Sequence, residues 1–321
     1  MRDCDCAQYW CIIHYLHCSV CRNPERFSRN ELFEFHGIWL NNYYTDNWDN
    51  LQNFQAKPDD ILIASFPKSG QIWMSYIIDL LCSGIRQENL PSSHIFRKIP
   101  HLEISVPLKD GTVYTGVQHA NSSLTSPRLL KTHLPVQFVP KSFWEKNCKI
   151  VYVARNPKDV MVSFYHFDQM ILFHPEPGEW SSFFQRFLEG KTMHGSWYDH
   201  INNWWKKKET YSNLHFVFYE DMVKDTKREI DRLCSFLGLI RSSEEKAIIK
   251  AKVQFDEMKE NPTVGCTIIQ GLKLDILRKG KVGDWKNYFT VAQNEEFDAD
   301  YKKKMENSTV QFSTELANVP A

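Results

Sequence analysis

The stretch Ile61-Leu-Ile-Ala-Ser-Phe-Pro-Lys-Ser-Gly-Gln-Ile-Trp73 decides the fold of this chain. It opens with a short apolar run, which is typical of a buried parallel strand. Pro-Lys-Ser-Gly then interrupts the pattern, and apolar residues return at helical spacing from Ile72 onwards. A strand, a tight loop and a helix in this order aim unpaired backbone N–H groups at an anion.

The loop itself carries two features that suit a phosphate. Gly70 lets the backbone approach the ligand closely, and Lys68 adds a mobile positive charge. The order of residues is not that of a Walker A loop, because here the lysine precedes the glycine. An ordinary joint between strand and helix, with an exposed lysine, is the alternative interpretation of this stretch.

Composition excludes several classes of function. The 321 residues contain 42% hydrophobic and 24% charged residues, as expected for a globular protein. Lys plus Arg and Asp plus Glu are equal at 39 each, so no overall charge recruits nucleic acid or an anionic membrane. No apolar run approaches the roughly 18 residues of a membrane span. We therefore expect neither a nucleic acid nor a membrane as partner.

The first 30 residues differ from the rest of the chain in their cysteine content. Five of the nine cysteines lie in the first 21 residues, with two histidines nearby, and four are scattered through apolar contexts. The scattered thiols predict a reducing compartment, here the cytoplasm. We interpret residues 1–30 as an atypical cysteine-rich leader, with disorder as one interpretation, and residues 31–321 as one domain. A zinc site in the leader is a weaker alternative, because Cys18-x-x-Cys21 lacks a second pair at the usual distance.

Strand patterns alternate with helix patterns along the rest of the chain. Apolar runs predict strands at 61–65, 129–135, 149–154 and 214–219. This alternation predicts an α/β fold: a single domain with a central parallel sheet flanked by helices on both faces. The turn-rich segment 84–127 is expected to be an irregular binding loop or lid.

Cationic residues follow these strands. We expect Lys68, Lys131 with His133, and Arg155 with Lys158 to lie in loops that follow three of the strands, and a fourth basic run begins at Arg278. Ligands of parallel sheets bind beyond the carboxyl ends of the strands, so the first three groups are expected to converge there. Several cations in one crevice of a neutral protein favour a ligand with two separated phosphates.

Several motifs together carry a family resemblance. They are Phe66-Pro-Lys-Ser-Gly70 with Trp73, Lys131-Thr-His-Leu-Pro135, Tyr152-Val-Ala-Arg-Asn-Pro-Lys-Asp-Val160, Ser163-Phe-Tyr-His-Phe167, Tyr219-Glu-Asp-Met222 and Arg278-Lys-Gly-Lys-Val-Gly-Asp-Trp-Lys286. In order and spacing, over about residues 51–316, the chain resembles the cytosolic sulfotransferases. That resemblance implies transfer of a sulfuryl group from 3′-phosphoadenosine 5′-phosphosulfate (PAPS) to a hydroxyl or amine of a small, mostly apolar acceptor. The strand, loop and helix at 61–81 would then be a P-loop-like PAPS site.

The resemblance also implies the donor site. Helix-end amides of the loop would hold the 5′-phosphosulfate, three aromatic residues would surround the adenine, and a basic group with a serine would bind the 3′-phosphate. The implied residues are Lys68, Ser69, Gly70, Gln71, Ile72, Trp73, Arg155, Ser163, Tyr219, Val253, Phe255, Arg278, Lys279 and Gly280.

The implied catalytic residues are His133, Lys68, Lys131 and Ser163. His133 would be the general base, since an ordinary imidazole pKa leaves much of it neutral at physiological pH. Lys68 would neutralise the leaving-group oxygen, and Lys131 would hold the sulfuryl oxygens. With fixed cations in these places we predict no catalytic metal. A histidine alone is more often structural, so the surrounding motifs carry this assignment.

The implied acceptor site comprises His101, Lys131, His133 and Phe167. His101 departs from the usual phenyl ring, which favours a more polar acceptor. Gln71, Ile72 and Val253 replace usual threonines, so a weak or inactive PAPS-binding homologue is the alternative function. A P-loop small-molecule kinase is a less favoured one. Phenols, steroids, amines and iodothyronines all stay open as acceptors.

The segment Lys286-Asn-Tyr-Phe-Thr-Val-Ala-Gln-Asn-Glu295 matches the dimer motif of that family. The resemblance therefore implies a homodimer through this segment. A capped surface helix is the alternative interpretation.

Overall fold

The computed structural model describes residues 29–84, 94–107, 111–171, 173–269 and 272–315. Its strands are β1 (Phe33–Phe35), β2 (Ile38–Leu40), β3 (Ile61–Ser65), β4 (Ser105–Pro107), β5 (Val113–Thr115), β6 (Leu129–Thr132), β7 (Lys149–Ala154), β8 (Leu214–Phe218), β9 (Cys266–Ile269) and β10 (Leu272–Asp275).

The α-helices follow the same chain order. They are α1 (Asn42–Thr45), α2 (Trp48–Gln52), α3 (Gln71–Ser83), α4 (Ile95–Lys98), α5 (Gly116–Ser122), α6 (Lys141–Glu145), α7 (Pro157–Met170), α8 (Trp180–Leu188), α9 (Trp197–Thr210), α10 (Tyr219–Lys224), α11 (Thr226–Leu237), α12 (Ser243–Lys252), α13 (Phe255–Glu260) and α14 (Val291–Lys304). Two short 3-10 helices cover Val136–Phe138 and Asp284–Asn287.

The central sheet has four parallel strands in the order β6-β3-β7-β8. Ile61 of β3 pairs with Leu129 on one side and with Lys149 on the other. The chain therefore leaves β3 toward one side of the sheet and later returns to its other side. This reversal of strand order opens a crevice at the carboxyl end of β3. The four predicted strands and their parallel arrangement are confirmed.

Both faces of the sheet are buried. Alternate residues of β3 belong to different apolar clusters: Leu62 and Ala64 to one, Ile61 and Ile63 to the other. Helices α7, α8 and α9 cover the first face, and α3, α11 and α12 cover the second. A strand buried on both sides needs a continuous apolar run, because side chains alternate between its faces. The prediction of helices on both faces is confirmed.

Helix ends follow the sequence signals closely. Pro157 is the first residue of α7, whose cap Asn156 accepts a hydrogen bond from the backbone of Asp159. Gly238, at a φ of 72°, ends α11. Ser242 forms a capping box with Glu245 at the start of α12. These caps fix where α7 and α12 begin and where α11 ends.

The expectation of an irregular segment at 84–127 is wrong for its described parts, 94–107 and 111–127. They contain α4, β4, β5 and α5. The backbone N–H of Leu102 donates to the carbonyl of Lys131, and the N–H of Lys131 donates to that of Pro100. The segment is thus held along the edge strand β6, in pieces too short for a periodic pattern to reveal.

Some predictions fall outside the described residues. These include nearly all of the cysteine-rich leader, with its zinc alternative and its five cysteines. Of the scattered thiols, Cys148 and Cys234 are buried and free, and Cys82 is half-buried and free. Within the described part of the chain, no helix is both long and apolar enough to cross a bilayer.

Candidate active site

A site residue follows each strand of the central sheet. Lys68 lies in the loop after β3, while His133, Arg155 and Tyr219 directly follow β6, β7 and β8. Because the strands are parallel, these residues meet at one edge of the sheet. They line one cavity of about 640 Å³, a size typical of small-molecule sites.

Most of the predicted site residues line this cavity. They are Lys68, Gly70, Gln71, Ile72, Trp73, His101, Lys131, His133, Arg155, Ser163, Phe167, Tyr219, Val253, Phe255, Arg278, Lys279 and Gly280. Ser69 is not among them: it is fully buried, and its hydroxyl has no hydrogen-bond partner. Lys158 is not among them either, because its Nζ pairs with Oδ1 of Asp298 at 2.6 Å.

The loop after β3 has the backbone of an anion-binding turn. Gly70 caps α3 in the left-handed region, at a φ of 102°, and no side chain satisfies the first N–H groups of the helix. A Cβ on Gly70 would lie 2.7 Å from Cδ2 of Tyr219. Glycine is therefore required here both by the backbone conformation and by the close approach of the tyrosine ring.

The side-chain amide of Gln71 hydrogen-bonds to the central sheet and not toward the cavity. Its amide nitrogen donates to the carbonyl of Ile63 at 3.1 Å and to that of Thr132 at 2.9 Å. Both amide hydrogens are thus donated to carbonyls of the central sheet. Only the backbone N–H of Gln71 is left to donate to an anion. Ile72 packs its side chain against apolar neighbours.

Two lysines that line the cavity each place their ammonium group over an aromatic ring. Nζ of Lys68 lies 3.9 Å from the ring centre of Phe167, and Nζ of Lys131 lies 3.9 Å from that of Phe96. Burial, followed by the charge of Arg155, lowers the pKa of Lys68 to about 7. Burial likewise lowers the pKa of Lys131 to about 7. A bound anion would favour the charged form of both lysines.

His133 is held as a neutral imidazole of defined tautomer. Its Nδ1 lies 2.8 Å from the carbonyl oxygen of Ser65, and because a carbonyl only accepts, Nδ1 carries the hydrogen. Nε2 therefore keeps its lone pair. Burial, followed by the neighbouring His101 and His194, holds the pKa of His133 well below its usual value. An imidazole in this form accepts a proton through Nε2.

A buried carboxylate organises the region around His133. Oε1 of Glu103 accepts the backbone N–H of His133 at 2.5 Å and lies 2.9 Å from Nε2 of His101. The His101 and His133 rings meet edge to face, with centroids 4.8 Å apart. Sequence reasoning missed Glu103, and its position two residues after His101 was the only signal.

Arg155 joins two loops at the cavity. Its Nη1 donates to the carbonyl of Lys68 at 3.3 Å, and its Nη2 donates to that of Lys281 at 3.1 Å. The guanidinium lies 4.3 Å from the ring centre of Tyr219. Its Nε is buried without a hydrogen-bond partner. A phosphate oxygen is a natural partner for this guanidinium N–H.

In the fourth basic run, which begins at Arg278, two side chains pair with one carboxylate. Nη2 of Arg278 and Nζ of Lys279 each lie 2.7 Å from Asp284. Burial works to raise the pKa of Asp284, but hydrogen bonds from Lys279 and Arg278 lower it to about 2. Nε of Arg278 is buried and unpartnered, like that of Arg155. Sequence reasoning found both cations but missed Asp284.

Aromatic residues from distant segments line the cavity. The rings of Trp73 and Tyr219 are 5.4 Å apart at 72°. A Cβ on Gly280 would lie 2.1 Å from Cδ2 of Phe255, so the basic loop packs its backbone directly on that ring. The flat groups and the two unpartnered guanidinium nitrogens suit a phosphorylated nucleoside.

Residues 58–309 match the family model of the sulfotransferase domain. This chain belongs to the sulfotransferase family. Cytosolic sulfotransferase 1 of Danio rerio is 53% identical over 296 residues, which are 90% of this chain and 97% of the relative. Sulfotransferase 1B1 of Canis lupus familiaris is 44% identical over 299 residues, 92% of this chain and 99% of the relative. The protein is accordingly a sulfotransferase enzyme.

Solved sulfotransferase structures share the fold. The crystal structure of mouse sulfotransferase SULT7A1 complexed with PAP superposes with a TM-score of 0.70 at 32% identity, covering 86% of this chain and 95% of that one. Retinol dehydratase in a complex with retinol and PAP gives a TM-score of 0.78 at 23% identity, covering 87% and 90%. The second comparison supports the fold alone.

The lining of the sulfotransferase cavity is of two kinds. Apolar side chains line much of it: Ile104, Val106, Ile171, Phe173 and Ile276. Around His133 the lining is polar instead, with Tyr44, His101, His174 and His194. Three of these polar residues were not predicted, because nothing in their local sequence marks them.

Metal ligands are not gathered in this region. Across the ranges that the structure describes, no three His, Cys, Asp or Glu side chains are arranged to hold a metal ion.

Proposed function

We propose that this sulfotransferase moves a sulfuryl group from PAPS to a hydroxyl or amine of a small, mostly apolar acceptor. One observation carries the proposal: the unprotonated Nε2 of His133 and the ammonium of Lys68 belong to the same cavity. The mouse relative, crystallised with PAP, supports the choice of donor. The apolar part of the cavity lining supports a mostly apolar acceptor.

The donor occupies the side of the cavity formed by the start of α3. Backbone N–H groups of that helix and Lys68 hold the 5′-phosphosulfate. Arg155 and Arg278 offer their unpartnered Nε atoms to the 3′-phosphate. The other proposed donor contacts, including the adenine contacts, are Ser69, Gly70, Gln71 through its backbone, Ile72, Trp73, Ser163, Tyr219, Val253, Phe255, Lys279 and Gly280.

In the reaction, Nε2 of His133 takes the proton of the acceptor group as its oxygen or nitrogen attacks the sulfur. Lys131 orients the sulfuryl oxygens during the attack. Lys68 neutralises the charge on the bridging oxygen as the bond between that oxygen and sulfur breaks. The Ser65 carbonyl, which accepts from Nδ1, supports the imidazolium that forms. The products are the sulfated acceptor and adenosine 3′,5′-bisphosphate.

The test combines binding and turnover. Thermal unfolding is measured with adenosine 3′,5′-bisphosphate and with ATP–Mg, and sulfated product is measured from labelled PAPS over a panel of acceptors. The proposal expects stabilisation by the bisphosphate and a sulfated product. Stabilisation by the bisphosphate without product favours the inactive PAPS-binding homologue. Stabilisation by ATP–Mg alone favours a kinase, and either result overturns the proposal.

We propose a homodimer formed through residues 286–295. Val291 supports this, because it is 77% exposed at the start of α14. The alternative also has support: Thr290 and Gln293 form a capping box, as in a solvated surface helix. Sedimentation at micromolar concentration decides between them, and a monomer would contradict the dimer.

We place this activity in the cytoplasm and in the domain 31–321. Arg29, just before that boundary, supports an earlier start, because it donates to the backbone carbonyls of Asp168 at 2.7 Å and of Gln169 at 3.0 Å. We therefore expect a chain that begins at residue 29 to keep full turnover. A chain that begins at residue 31 loses these contacts to the end of α7 and is expected to unfold at a lower temperature.

A further inference from the structure

The polar part of the cavity holds an imidazole whose hydrogen-bonding capacity is unused. Four of the five imidazoles in this region hydrogen-bond to the protein. His101 binds Glu103, and His133 binds Ser65. His174 binds Asp168 and Tyr44, while His200 binds Tyr152 and the carbonyl of His133. His194 lines the cavity and is 1% exposed, yet its Nδ1 has no hydrogen-bond partner.

The neighbours of His194 leave it unsatisfied. Its ring meets that of Tyr44 edge to face at 4.9 Å, but the Tyr44 hydroxyl is bound to Nε2 of His174 at 3.3 Å. On the other side its ring lies 5.5 Å from that of His133. Burial, followed by the neighbouring His101, holds the pKa of His194 well below its usual value, so the ring is neutral. A neutral imidazole has one N–H and one lone pair.

We propose that His194 binds a second hydroxyl of the acceptor, on the carbon next to the one whose oxygen is sulfated. The preferred acceptors are then aromatic compounds with two adjacent hydroxyls, the catechol class. This inference rests on the proposed function, since it assumes that the acceptor oxygen lies at His133.

Geometry favours adjacent hydroxyls. The acceptor oxygen at His133 and a hydroxyl on the neighbouring carbon are separated by roughly one hydrogen-bond length, about 2.8 Å. A ligand bridging two imidazole rings whose centres are 5.5 Å apart needs its polar groups that close together. The apolar part of the cavity lining, which includes Ile104 and Phe173, suits the aromatic body of such a ligand.

The test compares 4-ethylcatechol with its two monohydroxy counterparts, 3-ethylphenol and 4-ethylphenol. We expect the wild-type kcat/KM for the catechol to exceed those for both phenols by about tenfold or more, as for one discriminating hydrogen bond to a substrate hydroxyl. His194→Phe should reduce this ratio to near unity, because a phenyl ring cannot hydrogen-bond. His194→Gln should keep most of the ratio, because its amide still donates and accepts.

The two variants are matched in backbone strain. His194 has a φ of 69°, which penalises Phe and Gln alike. If His194→Phe does not fold, His194→Asn replaces it, since asparagine tolerates this φ but is too short to reach the ligand. Tyr114→Phe is the control: it removes a hydroxyl of the cavity lining that already binds His119 at 2.8 Å, so the ratio should not change.

Two results would overturn the inference: a wild-type enzyme that does not prefer the catechol, or a His194→Phe enzyme that keeps the preference. In both cases the phenols are still sulfated and the bisphosphate still stabilises the protein, so the proposed function stands. If no acceptor is sulfated and the bisphosphate does not stabilise the protein, the proposed function fails and the inference fails with it.

Discussion

The side-chain amide nitrogen of Gln71 lies 2.9 Å from the carbonyl oxygen of Thr132, the residue immediately before His133. The same amide holds the carbonyl of Ile63 on the central strand. One side chain thus ties the first turn of α3, where the donor phosphates are proposed to bind, to the end of the strand that carries the proposed base. Gln71 is a positioning residue in this arrangement and does not itself contact the donor through its side chain.

Gln71→Met is therefore expected to lower both stability and kcat. Methionine has similar length but removes both hydrogen bonds that the amide makes, at a cost of about 0.5–1.5 kcal/mol for each. Thermal unfolding and steady-state kinetics measure the two effects. The control is Gln52→Met, because Gln52 donates to the carbonyl of Phe138 at 2.8 Å and does not line the cavity. An unchanged kcat in Gln71→Met would contradict the positioning role.

Gly280→Ala is expected to raise the KM for PAPS by about tenfold or more, equivalent to about 1.4 kcal/mol. The new Cβ would lie 2.1 Å from the Phe255 ring and displace it from its proposed position beside the adenine. Gly178→Ala controls for backbone strain, because its φ of 65° is nearly that of Gly280 at 66° while no atom lies within 4 Å of its Cβ. Equal KM values in the two variants would refute the contact.

The stabilisation that adenosine 3′,5′-bisphosphate gives is expected to shrink between pH 7 and pH 9. The pKa values of Lys68 and Lys131 are lowered to about 7, so both lysines lose their protons over this interval when no anion is bound. In the unfolded chain they stay protonated, so the ligand-free protein gains stability as pH rises from 7. The difference in Tm with and without ligand therefore falls as pH rises.

Differential scanning fluorimetry across this pH range measures that difference. Lys68→Met, which removes one of the two titrating groups, should flatten the pH dependence. A difference in Tm that stays constant from pH 7 to pH 9 in the wild type would mean that these lysines do not control binding.

The central sheet was predictable because its strands are buried on both faces. A strand such as β7 (Lys149–Ala154) needs a continuous apolar run, and that run is visible without any tertiary information. The helix starts at Pro157 and Ser242 were equally visible, since caps are local. By contrast, β4 and β5 have three residues each and pair with each other as an antiparallel ribbon, and runs this short show no periodic pattern.

The site was predictable only where a residue follows a strand or belongs to a motif. Lys68, His133 and Arg155 meet this condition, and the parallel order of the strands brings them together. Glu103 and His194 do not, because they reach His133 through tertiary contacts from segments without a distinctive pattern. The direction of the Gln71 side chain was likewise not predictable, since a motif gives positions and not side-chain directions.

The proposed base is tested most directly by the turnover of purified His133→Ala, measured with PAPS and an acceptor at saturating concentrations. Loss of a general base typically costs about 10²–10⁴-fold in rate, so we expect at least a tenfold fall in kcat. Stabilisation by adenosine 3′,5′-bisphosphate should remain, because the donor side of the cavity is unchanged. Full activity in His133→Ala would contradict the account.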